Sequence, residues 1–149
     1  MSAIENLNSS MRRAAAAALV ILAMLVSSNG AHAGEQAEKV ISLMTRDLVG
    51  VPGKEVFMLT VEYLPGGASV PHRHDANVFV YVLEGALTMQ VEGGLPVTLK
   101  PGQSFYENPT DIHVTSANAS KTASAKILVF IVKNKGKPVS RLVPGEQNR

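Results

Sequence analysis

The chain has 149 residues, 46% hydrophobic, 17% charged and 5% aromatic, with a formal net charge of +2 and no cysteine. A chain of this length supports one domain with a modest core. The absence of thiols excludes disulfides, cysteine nucleophiles and thiolate metal ligands, and the small net charge excludes a nucleic-acid partner recruited by bulk charge.

Residues 1–33 read as an export signal. Arg12 and Arg13 form a positive start, Ala14 to Val26 is an apolar run short for a bilayer span, and Ala31-His32-Ala33 supplies a small-x-small cleavage site. Cleavage after Ala33 predicts a periplasmic or secreted protein with no stable membrane insertion, and the paired arginines leave both general and twin-arginine export open. The signal takes Glu5, Arg12, Arg13 and His32 with it, leaving 116 residues with 12 Lys+Arg, 11 Asp+Glu and three histidines.

Residues 34–54 form a leader and a possible edge strand; Val40 to Gly50 has the apolar content of a strand or a short helix. From 55 to 132 short apolar runs alternate with Gly, Pro and Asn turns. Strands are expected over Glu55–Leu64, from His72 to Leu83, over Leu87–Val91, in "LPVTL", on either side of Pro109, and over Lys126–Lys133. Strands at this spacing predict an all-β sandwich or barrel. Residues 133–149 read as a polar basic tail.

The chemistry sits at strand starts. Residues two apart in a strand face the same side, so an unbroken strand from 72 to 82 would put His72 and His74 on one face with Val78, Val80 and Val82. Two imidazoles in that arrangement can reach one ion, and imidazole suits Fe, Mn, Zn, Cu and Ni alike. A third ligand must come from another strand, and His113, after Asn108-Pro109, is the remaining histidine. Glu107 stands six residues before it, a candidate extra ligand, orienting partner or proton-moving base. Asp75 and Asp111 read as turn residues. Phe79, Tyr81 and Tyr106 are expected in the core or pocket wall, and Arg73 is expected to point away from the site.

These residues resemble the two motifs of a small single-domain cupin. Gly66, five residues, His72-Arg73-His74, three residues, Val78, six residues and Gly85 keep every spacing of the motif G(x)5HxH(x)3–4E(x)6G. Gly102, Asn108, Thr110 and His113 keep the register of G(x)5PxG(x)2H(x)3N, with Asn118 one position late. The resemblance covers residues 55–132 and implies a jelly-roll barrel, a double-stranded β-helix of six to eight strands, with a metal near its centre.

Two departures stand out: Val78 replaces the motif's glutamate ligand, and Asn108 and Thr110 replace its proline and glycine. What remains of the implied ligand set is His72, His74 and His113. Three neutral imidazoles leave a divalent ion its full charge, which favours an anionic or chelating small molecule. The implied cofactor is Fe(II), with Mn(II), Ni(II) or Zn(II) as alternatives, and the implied activity is that of a three-histidine dioxygenase. A non-catalytic binding or sensor protein, and a metal-assisted isomerase or lyase using Glu107 as base, are the competing expectations. Pairing into a homodimer is expected through an edge strand, Val40–Val49 or Lys126–Lys133.

Overall fold

The computed structural model describes residues 37–143; the export signal lies outside the described residues. Ten strands run in chain order: β1 (Glu38–Asp47), β2 (Lys54–Tyr63), β3 (His72–Arg73), β4 (Asn77–Glu84), β5 (Leu87–Val91), β6 (Val97–Leu99), β7 (Ser104–Glu107), β8 (His113–Asn118), β9 (Ala125–Asn134) and β10 (Arg141–Leu142). They form two five-stranded antiparallel sheets, β1-β2-β9-β4-β7 and β10-β3-β8-β5-β6. No helix occurs among the described residues, so the open expectation for Val40 to Gly50 resolves to strand. The architecture is the all-β jelly-roll barrel that the turn spacing and the motifs predict.

Alternation explains which face of the first sheet turns inward. Val78, Val80 and Val82 on β4 and Ile127, Val129 and Ile131 on β9 are all buried, while Phe79 and Tyr81 between the β4 valines and Leu83 after them are exposed. Leu59 and Val61 of β2 and Leu87 and Met89 of β5 complete the core. Each such side chain contributes about 1.5–3 kcal/mol by leaving water. The expected core or pocket places of Phe79, Tyr81 and Tyr106 are therefore corrected: all three point outward, because each lies next to an inward residue on a pleated strand.

Two further expectations change. The stretch from His72 to Leu83 is not one strand. Asp75 takes a left-handed backbone at φ 51°, ending β3 in the second sheet before β4 begins in the first. The Lys126–Lys133 run is no edge either: β9 lies at the centre of its sheet, paired on both sides. Its apolar character reflects burial between neighbours, which composition alone cannot separate from an unpaired strand.

The tail also has structure over residues 139–143. Val139 packs against the core and β10 pairs with β3, setting Leu142 opposite His72. Arg73 and Arg141 both bind the Asp75 carboxylate, tying this segment to the turn after β3.

Candidate metal centre

Between the sheets lies a cavity of about 440 Å³, lined by Phe57, Leu59, Val78, Met89 and Ile131 among other apolar side chains. His72, His74, Glu107 and His113 all open onto it. Donor atoms of His72, His74 and Glu107 lie within 4.8 Å of one another.

The two β3-region histidines are oriented from behind. His72 Nδ1 is 2.8 Å from the Val70 carbonyl oxygen, and His74 Nδ1 is 2.8 Å from that of Val139. A carbonyl oxygen only accepts, so both Nδ1 atoms carry the proton and donate. In a neutral ring Nε2 is then the acceptor nitrogen. These two nitrogens face one another at 3.1 Å. Burial pushes the His72 pKa down, with its neighbours His74 and His113 acting the same way and the Val70 carbonyl opposing them, so this imidazole stays neutral. Two ring nitrogens this close, each with its Nδ1 held from behind, are placed to share one cation.

Glu107 supplies the carboxylate. Its Oε2 is 3.8 Å from His74 Nε2 and 3.2 Å from His113 Nδ1, and the residue is buried. It reaches the cavity because β7 pairs with β4 in a register that sets Glu107 directly opposite Val78. The carboxylate absent from the first motif thus stands one strand away, on the inner face of the cross-strand neighbour. Glu107, expected as an extra ligand, orienting partner or base, stands beside the imidazoles and adds an oxygen donor to them.

His113 begins β8, directly opposite His72. Its ring lies 5.3 Å from that of His72 and stacks on Phe105 at 5.9 Å. Its Nε2 is a buried polar side-chain atom without a hydrogen-bond partner among the described residues. Buried polar atoms of that kind are costly and mark sites completed by something else. Three nitrogen and oxygen donors, His72, His74 and Glu107, two of them fixed by backbone carbonyls, fit a divalent transition metal, and His113 stands beside that group, touching it through Glu107.

The remaining candidates fall outside the cluster. Asp75 binds Arg73 and Arg141, and Asp111 accepts from the Asn108 backbone and side-chain amides, an ordinary turn cap. Asn118 still faces inward despite its late position, because the pairing of β8 with β5 skips Val114. Its side-chain amide donates to the Leu64 and Ala123 carbonyls.

Sequence reasoning missed a second polar group in the cavity. Tyr63, buried at the end of β2, has its hydroxyl 2.9 Å from Ser69 Oγ and 2.8 Å from Ser116 Oγ, and Ser69 donates to Glu38. Burial raises the Tyr63 pKa against the hydrogen bonds with the two serines, so the phenol keeps its proton. Its inward parity was readable in "EVFMLTVEYL", but its partners come from three other segments.

The cupin-domain family model matches residues 59–131. Among solved structures, an oxalate oxidase in complex with the substrate analogue glycolate is 25% identical, with a TM-score of 0.57 over 75% of this chain and 58% of that one. A DMSP lyase from Ruegeria pomeroyi DSS-3 is 20% identical, with a TM-score of 0.53 over 61% of this chain and 45% of the lyase. A cupin domain from Bordetella pertussis is 19% identical, with a TM-score of 0.52 over 65% of this chain and 94% of its own. The chain thus spans about half the length of the two enzymes. No curated protein matches it in sequence.

Proposed function

Residues 59–131 form a cupin domain, and on that premise we propose that the cavity holds one divalent transition-metal ion and takes a small organic anion, as an oxygen-dependent enzyme of the dioxygenase type. The observation that carries this reading is the pair of imidazole Nε2 atoms facing each other at 3.1 Å beside a buried carboxylate. His72, His74 and Glu107 would hold the ion with His113 as the fourth donor. Fe(II) is the proposed ion, and the same donors accept Mn(II), Ni(II) or Zn(II). Such an ion supplies a Lewis-acid centre that polarises a bound carboxylate or hydroxy acid. One carboxylate against two positive charges leaves the site attractive to an anion. The apolar walls of Val78, Ile131 and Phe57 exclude water from the bound molecule.

Oxygen dependence is supported by the likeness to the oxalate oxidase, and the anionic ligand by the glycolate in that structure. The isomerase or lyase reading needs Glu107 as a free base. Its contacts with two imidazoles favour a ligand role instead.

The test is metal content by inductively coupled plasma mass spectrometry on protein purified without an affinity tag. About one equivalent is expected in the wild type, and a loss of most of it in His74→Ala and Glu107→Gln. A wild type still metal-free after anaerobic loading with Fe(II) and Mn(II) would end the reading. With metal bound, oxygen uptake on addition of small carboxylates identifies the enzyme; thermal stabilisation by the same acids without uptake identifies a binding protein.

We also propose that the chain is exported and pairs with a second copy. Export with cleavage after Ala33 rests on the residue pattern of 1–33, and pairing with a second copy rests on the exposed apolar face of the first sheet.

A further inference from the structure

Glu38, Ser69, Tyr63 and Ser116 line the cavity that holds the histidine cluster, and they are joined in one chain of hydrogen bonds. The direction of that chain follows from its terminus. The Glu38 carboxylate only accepts, so Ser69 spends its one hydroxyl hydrogen on Glu38. Ser69 Oγ must then accept from Tyr63, and Tyr63 in turn accepts from Ser116. Every hydrogen in the chain points toward Glu38. The oxygens that remain free toward the cavity offer lone pairs and nothing else.

No Lys or Arg is present among the described residues lining the cavity. A second anionic group would therefore meet Glu38 without a counter-charge. Ser116 stands three residues along β8 from His113, beyond the irregularity at Val114. Resting on the reading of the cluster as a site for an anionic head, we infer that the Glu38–Ser69–Tyr63–Ser116 chain selects the other end of the ligand, which is a small monocarboxylate bearing a distal hydrogen-bond donor such as a hydroxyl or amine. Acceptor-only tails, such as ethers, esters and second carboxylates, leave the oxygens of the chain unpaired or repelled.

Binding to Zn(II)-loaded protein by isothermal titration calorimetry tests this with two matched acids, 4-hydroxybutanoate and 4-methoxybutanoate. They share the carboxylate and the distal oxygen and differ in the donor hydrogen. The wild type is expected to bind the hydroxy acid about threefold to tenfold more tightly. In Glu38→Gln the amide can donate, so the chain can reverse and the preference should fall away while the acids still bind. Tyr63→Phe, which frees Ser116 to turn its hydrogen to the cavity, should do the same; circular dichroism checks that both variants fold. Equal binding of the two acids to the wild type, or a preference that survives Glu38→Gln, would overturn this inference alone. Binding of neither acid would overturn it together with the anion-site reading.

Discussion

At the scale of single residues, the centre depends on where a carboxylate can stand. Val78 and Glu107 are cross-strand neighbours, both buried and both facing the cavity. Putting a glutamate at 78 in the wild-type background places two carboxylates side by side out of water. Without metal, Val78→Glu is expected to lower stability by about 3 kcal/mol in chemical denaturation, and loading with Zn(II) should recover part of that loss. The exchange Val78→Glu with Glu107→Val keeps one carboxylate and moves it across one strand. That double variant should retain about one equivalent of metal, whereas Glu107→Val alone should not. A double variant as metal-poor as the single one would show that strand position, and not merely carboxylate count, decides binding. The histidine pair and the missing glutamate at 78 were legible in the residues. The place of Glu107 was legible only as a candidate, because Pro109 between it and His113 breaks any parity argument that counts along the chain.

At the scale of elements, short irregularities do the positioning. Gly85 follows β4 with φ at 71°, and a Cβ there would lie 2.7 Å from the Ser124 carbonyl oxygen and 2.8 Å from Ala125. Both the backbone and the space demand glycine, so the last position of the first motif has a structural cause. Gly85→Ala should cost more than about 2 kcal/mol in unfolding free energy, with metal content per folded molecule unchanged. At the end of the first sheet, β2 and β9 carry a pair that points inward: Glu55 opposite Lys133, both buried. The Lys133 ammonium donates to Glu55, as does the Gly136 amide, and Lys133 also donates to the Lys137 carbonyl. The hydrogen bond from Lys133 holds the Glu55 carboxyl below its ordinary value of 4.5, against a desolvation that works the other way. A depressed carboxylate contributes stability that is complete above the unfolded value and lost as pH falls through the folded one. The melting temperature should therefore drop below pH 4.5 by more in the wild type than in Glu55→Gln, the two curves converging in acid. A constant gap between them down to pH 3 would remove the pair from the account of acid stability. The sequence shows Glu55 and Lys133 only as charges at strand ends, since their pairing needs the register of two strands 78 positions apart.

At the scale of the whole molecule, one face remains to be covered. Across the outside of the first sheet the registers set Met44, Met58, Phe130, Phe79 and Tyr106 in one row through all five strands. Phe79 lies 5.1 Å from Tyr106 and 6.3 Å from Phe130, and both Phe79 and Tyr106 are more than 40% exposed. Four residues further along β2, Lys39, Glu62, Lys126 and Glu84 form a row of alternating charge. A two-fold interface must match itself, and an alternating row beside an apolar one can do so. Sedimentation velocity should show a dimer for the wild type at micromolar concentration and a monomer for Phe79→Asp. A wild type that sediments as a monomer throughout would leave this face without a second copy.

Composition, turn spacing and the two motifs were enough to determine a single all-β barrel and the histidines at its cavity, because alternation and turn chemistry act over a few residues. They also marked Val78 as a lost ligand. Register and sheet assignment decided the rest: Glu107 beside Val78, the Val139 carbonyl behind His74, the Tyr63 chain, and the outward turn of Phe79 and Tyr106. Each of these joins segments far apart in the chain, and their proximity depends on which strands pair and in what register, not on any local preference.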